Sequence, residues 1–378
     1  MQRVSMLISG GGIAGSALAV LASSAGFDVT VVERAAGERS SGSPVDVHGR
    51  AYAVAESLGV IDRLRSAATD ARELTIVDTG GDPVARMRIN AARDPRHIEL
   101  PRADLAAILA GAGAGDCELL HSDELTAVVD GGHGVDVEFA HATPRRFDLV
   151  VGADGLHSGV RRLAFGPEGD YVRFLGMYLA GMRTDEAPAD PTRVLLYNEP
   201  GRSTTVHPAT GHPMAGFIFR STERVHHRDR DAQLALLRAR YDGAGWRSHE
   251  LLERYAESDD TYFDAVSQVR MPTWSTGRIG LVGDAASSLS LFGDGSSSAI
   301  VGAATLAQEL AAARGTGDWA AAFARYERRH RRVVAPNVRG FGVASRFIVP
   351  ATAGGIAARN LLIRVGAVFS RPGGSAPA

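Results

Sequence analysis

The chain has no lysine: all 41 of its basic residues are arginine. A lysine nucleophile, a Schiff-base enzyme and a P-loop lysine are thereby excluded. Cys117 is the single cysteine, so no disulfide can form within the chain, and a reducing, cytoplasmic setting is expected. A Cys/His metal centre is equally unsupported, and the pair His226-His227, set among Arg and Asp, reads as a solvated loop. No apolar run reaches the roughly 20 residues of a membrane span. Glycines break the N-terminal apolar stretch, unlike a signal peptide. The net charge of −2 makes no electrostatic case for nucleic acid or an anionic membrane, and neither is expected as a partner. With 378 residues and 45% hydrophobic content, the chain reads as a soluble globular protein, monomer or homodimer, of two domains or one large elaborated one.

The most informative stretch is residues 4–34. Residues 4–8 suit a buried parallel strand and 16–25 a buried helix ended by Gly26; 28–32 read as a second strand, closed by Glu33 and Arg34. Between strand and helix stands Gly10-Gly11-Gly12-Ile13-Ala14-Gly15, which puts G-x-G-x-x-G in the strand-turn-helix-strand setting of a dinucleotide site. Gly10 permits the tight turn, Gly12 has no Cβ to keep the backbone off a pyrophosphate, and Gly15 allows close helix packing. The helix start offers N–H groups and partial positive charge to phosphate. Glu33 suits a ribose diol and disfavours a 2′-phosphate. The plainer reading of the triplet alone is an ordinary turn.

Residues 35–49 read as loop, 51–67 as one helix, and 74–78 with 84–89 as a hairpin about Thr79-Gly80-Gly81-Asp82. Strands are expected at 98–100, 117–120, 125–129, 135–139 and 147–151, with a helix at 104–112. From about Tyr171 the texture changes: 194–197, 204–207 and 215–219 alternate, as in an antiparallel sheet with one buried face. Helices at 232–241 and 251–256 and strands at 263–271 and 278–282 follow. Helices at 299–313, 319–331, 338–347 and 356–369 precede a disordered tail. The expected fold is α/β (α+β overall). A Rossmann-type domain (1–75, 98–170, 272–334) carries an inserted antiparallel-sheet domain (76–97, 171–271), C-terminal helices (335–370) and the tail (371–378).

Two further motifs end apolar strands with an acid. Val150-Val151-Gly152-Ala153-Asp154-Gly155 is followed by Ser158 and Arg161; Asp154 lies where open α/β sheets bind ligands, and reads equally as a helix N-cap. Gly280-Leu281-Val282-Gly283-Asp284-Ala285-Ala286 leads to Gly293-Asp294-Gly295-Ser296-Ser297-Ser298, which opens a long helix. Asp284 can bond a polyol hydroxyl, and the helix start can face an anion.

In this order the three motifs resemble the FAD-dependent aromatic hydroxylases, the single-component (class A) flavoprotein monooxygenases, over residues 4–334. The resemblance implies that Gly10, Gly12, Ile13, Ala14, Gly15, Glu33 and Arg34 bind the ADP half of FAD. It gives Asp154 to FAD and NADPH together, and Gly283 and Asp284 to the ribityl chain. Arg102, in Leu100-Pro101-Arg102-Ala103-Asp104-Leu105, would reach FAD, its plainer role being a surface ion pair. Arg39, Val45, Leu125, Gly295, Ser296 and Ser297 are implied as further cofactor contacts. Ser43-Pro44-Val45-Asp46-Val47 resembles the loop lining the isoalloxazine ring in a subgroup that includes tetracycline-modifying flavin monooxygenases. One departure stands out: after Gly283-Asp284-Ala285-Ala286 the family has His and then prolines, and this chain has Ser287-Ser288-Leu289-Ser290-Leu291-Phe292.

The resemblance implies that NAD(P)H transiently reduces FAD, and that a flavin C4a-hydroperoxide delivers one oxygen atom to an aromatic or polyketide-like small molecule. No catalytic side chain is assigned, since the chemistry belongs to the flavin. Substrate is expected between flavin and middle sheet, with Tyr197, His207, Phe217, Phe219 and Asp46 as candidate contacts; core packing is the plainer fate of the aromatics, and a structural hydrogen bond that of His207. The Ser287–Leu291 departure keeps open an oxidase, dehydrogenase or reductase of the same fold. A ligand-sequestering flavoprotein is a third reading.

Overall fold

A computed structural model describes residues 3–36, 44–89, 94–113, 115–209, 213–289 and 294–369. Strand β1 (Ser5–Ser9), helix α1 (Ile13–Ser24) and strand β2 (Asp28–Glu33) follow the expected order. The stretch 35–49 is not all loop, because Val45 and Val47 are buried in a short strand, β3 (Val45–Val47). The helix expected at 51–67 is two, α2 (Arg50–Ser57) and α3 (Ile61–Ser66), since Gly59 takes φ +68° and ends the first. Strands β4 (Glu73–Val77) and β5 (Pro83–Arg88) form the expected hairpin, with Gly80 and Asp82 N–H groups donating to Asp78 Oδ1. Then come β6 (Ile98–Leu100), α4 (Arg102–Ala112), β7 (Cys117–His121), β8 (Leu125–Asp130) and β9 (Val135–Phe139). The strand expected at 147–151 splits between two sheets: β10 (Arg145–Phe147) pairs with β9, and β11 (Leu149–Gly152) with β1. Asp148 turns the chain between them, its carboxylate accepting from the Ser5 N–H and hydroxyl (2.8 and 2.9 Å).

After α5 (Gly159–Ala164) and α6 (Glu168–Tyr171) comes a strand that alternation did not reveal, β12 (Val172–Arg183), whose residues on both faces are covered in part. Next are β13 (Arg193–Glu199), β14 (Arg202–His207), β15 (Met214–Arg220), α7 (Arg230–Tyr241), α8 (Ser248–Glu257) and β16 (Thr261–Val269). The chain returns through β17 (Ser275–Thr276), β18 (Ile279–Leu281), a 3-10 turn at Gly283–Ala285, and α9 (Asp294–Ala313). The helices expected at 319–331 and 338–347 are one, α10 (Trp319–Ile348), which runs through Pro336 at the loss of one backbone bond. The last helix is α11 (Ala353–Phe369), and the tail from Arg371 lies outside the described residues.

The first sheet has the order β17-β18-β11-β1-β2-β7 and is parallel except at the β17 edge. Its core is continuous with α1, α9 and the first half of α10. The middle sheet has the order β16-β12-β15-β14-β13-β4-β5 and is antiparallel except where β13 runs parallel to β4. One face of it, with Tyr178, Phe217 and Phe219, packs under α7 and α8. The other, with Met177, Ile218 and Val266, meets Val349 just beyond α10. This inner face also meets the first half of the molecule, through a Gln268–Leu289 bridge and the side chains described below.

Gly280 is needed because Phe323 of α10 lies across β18: a Cβ would fall 2.2 Å from its ring. Gly280→Ala is expected to cost about 1–3 kcal/mol, read as a lower denaturant midpoint; an unchanged midpoint would refute this packing.

Candidate functional site

Four parallel strands end level. Ser9 pairs with both Val32 and Gly152, and Gly152 with Leu281. Beyond these ends the ladder continues, with Gly10 N–H donating to Val32 O (2.8 Å), Ala153 N–H to Ser9 O (2.7 Å) and Val282 N–H to Gly152 O (2.9 Å). The residues that follow are Glu33, Gly10, Asp154 and Gly283-Asp284, so motifs up to 274 residues apart form one row. β1 lies between β2 and β11, at the switch point where such sheets open a crevice.

The glycines divide into two kinds. Gly10 sits at φ +106°, where a Cβ would approach Ala153 O to 2.6 Å, and a Cβ on Gly15 would lie 1.8 Å from Gly10 O. These two close the turn onto the sheet, and Gly283, at φ +63°, abuts Ala14 in the same way. Gly12 is the opposite case: a Cβ there would meet nothing within 4 Å, and the same holds for Gly295 in the first turn of α9. Two helix starts thus face open space, α1 with Ile13 and Ala14 buried behind it. N–H groups for phosphate, with carboxylates at the rim for hydroxyls, are a donor and acceptor set that fits a dinucleotide.

Glu33 is held at this rim, its carboxylate accepting from the Gly11 and Ala35 N–H groups (2.8 Å each). Arg34 beside it is exposed. Leu125 begins β8 nearby, since Asp123 donates its N–H to Glu33 O (3.2 Å). Arg39 lies outside the described residues. Val45 is buried in β3, and Ser296 and Ser297 both donate their hydroxyls to Asp46 O (2.7 and 2.8 Å). Those two hydroxyls therefore pin β3 to the start of α9.

Asp154 does act at the start of α5, accepting from Val160 N–H (3.0 Å), while Ser158 caps through Arg161 N–H. Its other oxygen, Oδ1, is buried without a partner among the described residues, an acceptor for a bound hydroxyl or amide. Burial pushes its carboxyl above the ordinary value, against the Val160 N–H and Arg161. Burial also raises Asp284, against the pull of the Arg102 guanidinium, so Arg102 at the start of α4 is close enough to act on it. Sequence reasoning gave no role to Arg161, which is fully buried and donates to Ala285 O (3.1 Å) and Leu156 O (2.5 Å). It fastens the Asp284 turn to the Asp154 turn.

His157 sits where the halves meet, bonded to Glu168 (3.0 Å) and to Asp264 of β16 (3.3 Å) and stacked on His227 at 3.7 Å. Burial alone would lower its pKa, but the two carboxylates raise it to about 9. Burial and that neighbouring charge push His227 down to about 4. The expected solvated loop at His226-His227 is thus partly a packed contact.

The inner face of the middle sheet is polar near β3 and β6. In that ribbon Asp46 lies directly opposite Glu99, while Val45, Val47, Ile98 and Leu100 are buried on the other side. Asp46 is bonded to His97 (2.7 Å), whose ring stacks on His48. Glu99 is bonded to Thr69 (2.6 Å) and to His207 of the middle sheet (3.0 Å). Burial would raise Glu99, but the bonds from His207 and Thr69 and the nearby His97 hold it below the ordinary carboxylate value. Ala209 N–H donates to His207 Nδ1 (3.0 Å), which leaves the ring proton on Nε2 toward Glu99.

The three aromatic candidates are corrected by their face. Phe217 and Phe219 are fully buried, edge-on to Tyr241 under α7 and α8. Tyr197 shares that outer side, its ring tilted against Trp246 and its hydroxyl donating to Glu199. Alternation holds along β13 and β15, but only the helices decide which face is closed. Tyr262, paired with Gly181, was missed; it lies on the inner face, within electrostatic reach of Asp264, Arg102 and Asp284. A cavity of about 40 Å³ beside Asp284 is lined by Ser287, Ser288 and His330. Ser288 Oγ and His330 Nδ1 are buried there without partners among the described residues, and burial pushes His330 down to about 4.

Residues 3–340 match the protein-family model described as FAD binding domain. A flavin-dependent monooxygenase of Legionella longbeachae is 32% identical over 356 residues, 92% of this chain and 90% of that protein. An uncharacterised Mycobacterium tuberculosis protein, Rv1260, is 36% identical over 349 residues, 89% of this chain and 94% of the other. Among solved structures, tetracycline destructase Tet(51) is 28% identical and superposes with a TM-score of 0.83, each chain fully covered.

Asp284→Ala is expected to give folded protein that purifies with FAD reduced about tenfold or more, read from the flavin absorbance per protein; stoichiometric flavin would refute the placement. His157 should stabilise the fold fully below pH 6.5 and lose this as pH rises through about 9, because its folded pKa is the higher. Denaturant midpoints across that window should fall in the parent and fall less in His157→Gln; parallel curves would reject the clamp.

Proposed function

Because the chain belongs to the FAD-binding family of flavin-dependent monooxygenases, we propose that it uses NAD(P)H and O2 to insert one oxygen atom into an aromatic or polyketide-like small molecule. The row of motifs at the level strand ends, open toward the inner face of the middle sheet, is the observation that carries this reading. When bound, FAD supplies the redox chemistry, taking a hydride from NAD(P)H and activating O2.

The chain's own residues bind and orient. Gly12 lets the pyrophosphate reach the N–H groups of α1, Glu33 takes the ribose diol, Arg34 flanks the adenosine end, and Asp284 takes ribityl hydroxyls with Arg102 balancing its charge. The start of α9 would offer its partial positive charge to the negative charge of a reduced flavin. In this division residues 1–75, 98–170 and 272–334 hold the cofactor, and 76–97 with 171–271 provide the substrate side.

Substrate lies against the inner face, with Tyr262 at one side and the His97–Asp46 and His207–Glu99 pairs as the polar end. Each carboxylate orients an imidazole, and together they present hydrogen-bonding groups to the hydroxyl or carbonyl edge of a ring system. No side chain is assigned to proton transfer.

A second reading is an oxidase or dehydrogenase of the same fold. It is favoured by the hydroxyl-bearing Ser287-Ser288 turn beside a small cavity, where the resembled family has His and prolines.

Isotope from labelled O2 should enter a product formed with NAD(P)H consumption over a panel of phenols and polyketide aromatics. Substrate-dependent flavin reduction with no isotope in product would favour the second reading. Once a substrate is found, Glu99→Gln and His97→Ala are each expected to raise KM about tenfold with a smaller change in kcat; unchanged KM would remove these pairs from the pocket.

A further inference from the structure

The net charge of −2 conceals a strong asymmetry. The 51 residues after Glu327 contain nine arginines and not one acid, which leaves −11 on the rest of the chain. The same region gathers large exposed hydrophobic side chains. Of the six large hydrophobic residues that are exposed among the described residues, Val343, Leu361, Leu362 and Val365 belong to the end of α10 and to α11.

Helix α11 is apolar on two opposite sides. Ile363 faces inward on the β4–β5 hairpin, and Arg359 is buried against Asn198 and the Phe347 carbonyl. Ala358, Leu361, Leu362 and Val365 fall on the other side at helical spacing and are exposed. An apolar outer stripe on a helix whose inner side is already packed calls for a cover. Exposed arginines stand one turn from these residues, Arg346 after Val343 and Arg364 after Leu361, the latter donating through Nε to Val84 O (2.6 Å) with the rest of its guanidinium at the surface. Among the described residues no single helix is long and apolar enough to cross a membrane, but Gly340–Ile348 and Ala353–Val365, bent by 98°, together have the apolar length of a membrane-seated pair.

We propose that the outer face of this bent pair docks on an anionic lipid bilayer. Leu361, Leu362, Val365 and Val343 enter the interface while Arg346 and Arg364 lie along it and reach the lipid phosphates. Apolar area and basic charge are the two signals that reversible membrane attachment requires. A second copy joined through the same stripe would instead bring two acid-free, arginine-bearing faces together, so charge disfavours it.

The test is co-sedimentation of the full FAD-loaded chain with vesicles of phosphatidylcholine alone or with about one-third phosphatidylglycerol. The anionic vesicles are expected to carry down about tenfold more protein at low salt, and high salt should erase the difference. Leu361→Asp with Leu362→Asp should abolish binding, and Arg346→Glu with Arg364→Glu should abolish the preference for anionic lipid. Equal, negligible sedimentation of the parent protein with both vesicles would overturn the proposal. So would a parent dimer, by light scattering, that the leucine variant turns into a monomer, since the cover would then be a subunit. If the leucine variant fails to fold, the parent and arginine arms still decide.

Discussion

The site depends on the shared register of four parallel strands. The glycine bend follows β1, Glu33 ends β2, Asp154 follows β11 and Asp284 follows β18; because Ser9, Val32, Gly152 and Leu281 are aligned, these groups share one edge. A slip of one residue in β11 would turn its side chains to the opposite faces and carry Asp154 off that edge. The register is held by complete burial of Leu149, Val150 and Val151, and by Asp148, whose carboxylate ties the entrance of β11 to Ser5 at the start of β1.

Above this edge the two faces of the middle sheet are divided between structure and chemistry. The outer face spends its aromatic residues on a packed layer under α7 and α8, where Tyr178, Phe217, Phe219, Tyr241 and Tyr255 meet. The inner face carries polar groups beside Met177, Ile218 and Val266, and side-chain contacts that reach across from it include His207 to Glu99 and Asp264 to His157. Both contacts pair an imidazole with carboxylate, so the seam between the halves is electrostatic as well as apolar. Arg161 extends the same logic within the first half, a buried guanidinium serving backbone carbonyls of two turns.

What could be read beforehand, and what could not, follows from the range of the interactions. The glycine bend is legible because part of its demand is local: Gly10 takes φ +106°, and a Cβ on Gly15 would strike the Gly10 carbonyl five residues back. Strand-end acids are legible because a buried run precedes each. The split at Asp148 was hidden, since Phe147 and the run from Leu149 to Val151 are buried alike and only the partner strands separate them. The unbroken course of α10 was hidden behind Pro336, a local signal overridden by packing at Phe323, Tyr326 and Val349. For Phe217 and Phe219 the alternation was right and the side was wrong, because α7 and α8 arrive later in the chain to close that side. Asp46 and Glu99 each stand between two buried residues, in Val45-Asp46-Val47 and Ile98-Glu99-Leu100, a pattern that gains meaning only when the two strands pair.

Helix α10 spans 30 residues, about 45 Å at the usual rise. At one end it is rooted beside β18 through Phe323 and Tyr326; at the other, the Ser345 and Val349 carbonyls accept from Arg220 in β15. One continuous rod therefore braces both halves of the molecule like a tie beam. Any breathing of the cleft has to bend that beam or tear one of its anchorages, and Pro336, where the ladder already lacks a donor, is the point of least bending resistance.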